Sequence, residues 1–100
     1  MYEVQLTNSY FPPQDDADLR DITIGDFLQE TANTFPDNIA MVDIDEKGNA
    51  RSSWTYKELF SEAKKLSVSL SSRFQKGEKV VVWAPNIPRW VFMEYACALS

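Results

Sequence analysis

Apolar positions along the chain repeat first at helical spacing, then at every second residue, then at helical spacing again. Ile24, Phe27, Leu28, Thr31 and Phe35 recur three to four residues apart, which predicts a first helix with one inward face. Thr23 stands where an N-cap belongs, and Asp26 lies three residues later near the positive end of the helix dipole. Pro36 ends the helix and pushes Phe35 out of the α region, with Asp37 and Asn38 supplying the turn. Ala40, Val42 and Ile44 then alternate with Met41, Asp43 and Asp45, the pattern of a half-exposed strand. Gly48-Asn49 inside a polar tetrad predicts a hairpin loop, and the return strand runs from about Ala50 to Trp54, diluted by Ser52 and Ser53.

The second helix has the clearest start. Thr55-Tyr56-Lys57-Glu58 fits a capping box, in which the threonine oxygen accepts from the backbone three residues on and the glutamate reaches back. Tyr56, Leu59, Phe60, Ala63, Leu66, Leu70 and Phe74 form one apolar stripe, opposite Lys57, Glu58, Ser61, Glu62, Lys64 and Lys65. Gly77 is placed as a stop just past the last turn. Lys79 to Trp83 carries four apolar residues in a row, which predicts a strand covered on both faces, as in a parallel sheet. Pro85 closes that strand, and Pro88 suits the first turn of a last helix. That helix has only Arg89, Glu94 and Ser100 as clearly polar residues, so it is expected to be buried on most sides. Residues 1–21 read as an irregular arm: Pro12 and Pro13 forbid a regular helix, residues 14–18 are polar and acidic, and Tyr2, Val4, Leu6, Tyr10 and Phe11 can lie against a surface. The expected class is α/β, in the order helix, β-hairpin, helix, buried strand, helix.

Composition narrows the function more than the fold. One hundred residues, 44% apolar, make one small domain with a modest core. The net charge of −5 comes without a basic patch, which argues against a nucleic-acid or anionic-membrane partner. A single cysteine, Cys97, rules out an intrachain disulfide and a cysteine-based metal site. The absence of histidine removes the commonest general base, the commonest metal ligand and every Ser-His or Cys-His pair. No apolar run reaches transmembrane length and the N-terminus lacks a signal-peptide core, so a soluble, cytoplasmic protein of a reducing compartment is expected.

Candidate chemistry resolves into structure at each place. Gly25, Gly48 and Gly77 are isolated from one another and form no phosphate loop. Asp43, Asp45 and Glu46 do not continue into a twelve-residue calcium loop and read as a solvated hairpin tip. Asp15 and Asp16 read as surface charge. Trp83, Trp90, Phe92 and Tyr95 read as core rather than a ligand groove. Pro85 and Pro88 lack N–H groups, which lowers the value of the corner between them as an anion nest. Asn86 is expected to shape that corner by bonding its own backbone two residues on. No catalytic, cofactor-binding or metal-ligating residue is assigned.

Trp54-Thr55-Tyr56-Lys57-Glu58-Leu59 resembles the first core motif of the adenylate-forming superfamily, which holds acyl-CoA synthetases, adenylation domains and luciferases. Gly77 to Asn86, followed by Ile87-Pro88-Arg89-Trp90-Val91, resembles the strand and helix that come next, in a style closest to fatty-acid and medium-chain acyl-CoA ligases. Thr23 to Ala40 is similar to the opening helix, with Phe35-Pro36-Asp37 before the first strand; Arg89 stands where relatives usually carry an acidic residue. The three segments agree in order and spacing over about residues 22–99. The resemblance implies an N-terminal piece of the large domain of a ligase. The parent would join a carboxylic or fatty acid to ATP with magnesium, releasing pyrophosphate, and pass the acyl group to CoA.

The family's phosphate loop, ribose-binding acid and mobile lysine are all absent from these residues. The apolar last helix reaches Ser100 without a cap or closing proline, which reads as a chain cut from a larger synthetase and inert alone, its partner the rest of that polypeptide. The other reading is a free-standing binding or adaptor domain on the same subdomain, with Trp83, Trp90 and Phe92 as its partner surface.

Overall fold

Thr23 starts the first helix, α1 (Ile24–Thr34), as its position predicts. Its backbone is extended, and its hydroxyl oxygen accepts from the Asp26 N–H at 3.1 Å while donating to the Asp26 carboxylate at 2.7 Å. Phe35 lies outside the α region, which a following proline disfavours, at φ −130°, ψ 56°. The computed structural model describes residues 7, 9, 10, 12, 13 and 19–100. Of the expected arm, Tyr2, Val4, Leu6, Phe11 and residues 14–18 lie outside the described residues, and Tyr10 is exposed.

The buried face of α1 differs from the expected one. Gly25, Leu28 and Ala32 are covered, whereas Ile24, Phe27 and Phe35 are exposed. The reason is the neighbour. The last helix, α3 (Pro88–Leu99), passes so close that a Cβ on Gly25 would sit 2.8 Å from the Ala98 carbonyl oxygen. Only the small-residue face of α1 fits that approach. Arg20 covers part of what is left out, its guanidinium 5.3 Å from the Phe27 ring centroid and paired with Glu30.

Strands β1 (Ile39–Ile44) and β2 (Ala50–Thr55) form the expected antiparallel hairpin, with Met41 opposite Trp54 and Val42 opposite Ser53. Met41 and Asp43 lie on the partly covered face; Val42 and Ile44 stay exposed, so part of the apolar alternation faces outward. Gly48 turns the loop at φ 83°, a left-handed conformation that favours glycine.

Helix α2 (Tyr56–Ser71) buries Leu59, Ala63, Ser67 and Leu70. Ser67 sits within the apolar stripe because its hydroxyl is satisfied locally, donating to the Lys64 carbonyl at 2.9 Å. The helix ends before Phe74, which is exposed. Gly77 is therefore not its stop residue. It lies at φ 91° in a separate turn, where the Glu78 N–H reaches the Gln75 carbonyl and the Gln75 N–H reaches the Glu78 carboxylate.

Lys79–Trp83 is not a buried strand. Val81 is 89% and Trp83 99% exposed. A strand needs a ladder partner, and the sheet among the described residues has only β1 and β2, neither of them paired with this segment. Helix α3 begins at Pro88, as expected, and packs on α2 and α1. Its burial falls short of expectation: Ala96 is fully covered, most of the other apolar residues are half-covered, and Trp90 and Ala98 are exposed. Ser100 does close the helix, its N–H donating to the Cys97 carbonyl at 3.3 Å and its hydroxyl to the Ala96 carbonyl at 2.7 Å.

Two substitutions test these joints. Thr55→Ala should cost about 1 kcal/mol by thermal or urea unfolding, and Thr55→Ser should restore most of it. Gly25→Ala should destabilise the chain, against the gain of about 1 kcal/mol that helix propensity alone would bring, because the new methyl meets the Ala98 carbonyl.

Candidate functional site

The strongest concentration of specific contacts is the start of α2. Four backbone N–H groups at a helix N-terminus have no partner within the helix, and here each finds one. The Thr55 N–H donates to the Glu58 carboxylate at 2.8 Å, and the Glu58 N–H donates to the Thr55 hydroxyl at 3.2 Å. The Tyr56 N–H reaches the Asn38 carbonyl at 3.0 Å and the Lys57 N–H the Pro36 carbonyl at 3.1 Å. Trp54, just before the cap, meets Phe92 of α3 edge to face, with centroids 5.5 Å apart and planes at 81°. The motif Trp54 to Leu59 is thus a joint: it seats α2 on the turn after α1 and holds β2 against α3. The reciprocal Thr55–Glu58 pair was legible in the sequence. The Pro36 and Asn38 carbonyls were not, since nothing in a residue's type reports where its carbonyl points.

The hairpin tip is built from its acids. The Asp45 carboxylate accepts from the Lys47 N–H at 2.8 Å, the Asn49 N–H at 2.8 Å and the Asn49 side-chain amide at 3.1 Å. Asp43 pairs with Arg51 at 3.3 Å. Asp43 and Asp45 thus hold the strand pair and the turn. The Asn49 backbone bond, then its side chain, keep the Asp45 carboxyl below its ordinary value of 3.8, with slight burial opposing.

The corner between Lys79 and Trp90 brings together less than expected. Trp83 is in solvent and Trp90 is exposed, so neither is core; Phe92 and Tyr95 are half-buried. Asn86 cannot bond its backbone two residues on, because that residue is Pro88 and has no N–H. Ile87 caps α3 without a side-chain bond. A separate open depression of about 500 Å³ lies between the end of α2 and α3, lined by Leu70, Phe74, Val80 and Cys97 among others. It holds no histidine, aspartate or buried charge. Among the described residues, no three of His, Cys, Asp and Glu converge on a point that could hold a metal ion.

Residues 28–100 match the family described as AMP-binding enzyme. A mitochondrial medium-chain acyl-CoA ligase of Danio rerio is 31% identical over 94 residues, which cover 93% of this chain and 15% of the relative. A putative acyl-CoA synthetase of Bacillus subtilis is 35% identical over 83 residues, covering 82% of this chain and 14% of the relative. An acetyl-coenzyme A synthetase of Wolinella succinogenes is 46% identical over 46 residues, 44% of this chain and 7% of the relative. The chain spans about one seventh of the length of the first two. No solved structure matches it.

The hairpin tip yields a pH prediction. Because the folded pKa of Asp45 is lowered, its contribution to stability is fully present above the unfolded value and is lost as pH falls through the lower folded value. Melting temperature followed from pH 5 downward should fall more steeply in the parent than in Asp45→Asn, the two curves converging at the acid end. Parallel curves would show that this carboxylate is not linked to folding.

Proposed function

The chain belongs to the AMP-binding enzyme family, and on that premise we propose that residues 22–100 are the N-terminal scaffold of an ATP-dependent acyl-CoA synthetase, with residues 1–21 as its arm. The parent reaction is activation of a carboxylic or fatty acid as an acyl-adenylate, followed by transfer to CoA. The observation that carries the scaffold role is the start of α2: the side chains that cap it and the aromatic that precedes it are engaged within the chain and none points at an open site.

ATP, magnesium and CoA are the parent's cofactors on this reading, and the described residues do not fit the first two. Gly25 has its backbone approach filled by Ala98, and Gly48 and Gly77 turn separate loops. The Asp45 carboxylate is occupied by its own turn and Asp43 by Arg51. No step of the reaction is therefore assigned to this chain, whose main partner is the remaining polypeptide of the ligase. No helix among the described residues is long and apolar enough to cross a membrane. A cytoplasmic setting is proposed, in keeping with one unpaired cysteine.

Exposed Trp83 and Trp90 favour one other reading, a free-standing binding module with these rings as its partner surface. Four observations bear on these readings. The 100-residue chain should show neither magnesium-dependent ATP binding by calorimetry nor acid-dependent ATP–pyrophosphate exchange. A polypeptide carrying it at the length of its ligase relatives should catalyse that exchange with a fatty acid. Micromolar ATP binding by the 100-residue chain would remove the scaffold reading, and a stop codon directly after Ser100 in its gene would favour the module.

A further inference from the structure

We draw no further inference here: the strongest candidate, the apolar surface patch on the outer face of α1, where Phe27 and Phe35 line an open depression with Arg20 and Tyr56, carries nothing, because nothing in the structure shows what covers it.

Discussion

Everything in this chain hangs on the saturation of one helix end. Helix α2 contacts α1, α3, β1 and β2, so its direction sets theirs. That direction is held at the N-terminus, where the Thr55–Glu58 exchange and the carbonyls of Pro36 and Asn38 take up the donors the helix cannot satisfy itself. The turn after α1, the end of β2 and the start of α2 thereby become one rigid corner. The segment Trp54–Leu59 is engaged within the chain. Its threonine and glutamate bond each other, its leucine is core, and its first residue is the aromatic that meets Phe92.

What was legible in the sequence follows from range. Thr23, Thr55, Glu58, Pro36 and Pro88 act within four residues of themselves, and each does what its type predicts. The hairpin followed from alternation and Gly48, again local signals. The larger failures are tertiary. The α1 stripe was read through its largest side chains, but the neighbouring backbone selects the smallest, Gly25 and Ala32. A signal was present in the spacing of small residues Gly25 and Ala32 around Leu28, and it was outweighed by Phe27 and Phe35. The run at Lys79–Trp83 has the composition of an interior strand, yet composition cannot supply the partner a ladder needs. Asn86 finds no backbone donor two residues on, because that residue is Pro88, a local constraint that the asparagine alone does not reveal. For chemistry, the lack of histidine and the scattered glycines pointed away from a catalytic site within these residues. Asp43 and Asp45 are engaged in the hairpin, and Asp15 and Asp16 lie outside the described residues.

The pattern of exposure gives the chain its physical character. Among the described residues, the best covered are small or of middle size, Leu28, Ala32, Leu59, Ala63, Leu70 and Ala96, and no large side chain is fully enclosed. The aromatic mass sits at the margins: Phe27 under Arg20, Trp54 against Phe92, Trp83 in water. Since burial of large side chains is the main source of folding free energy, a core of this kind holds a framework together while leaving much apolar surface uncommitted.

The close crossing of Gly25 and Ala98 joins residues from nearly opposite ends of the chain. Such a contact closes a loop that contains the hairpin and all of α2, and loops of that span are slow to close because the entropy of the intervening chain must be lost first. The hairpin and the α2 corner, whose bonds are local, can assemble before it. The entropy of closing that loop therefore weighs on the α1–α3 contact and not on the hairpin or the α2 corner.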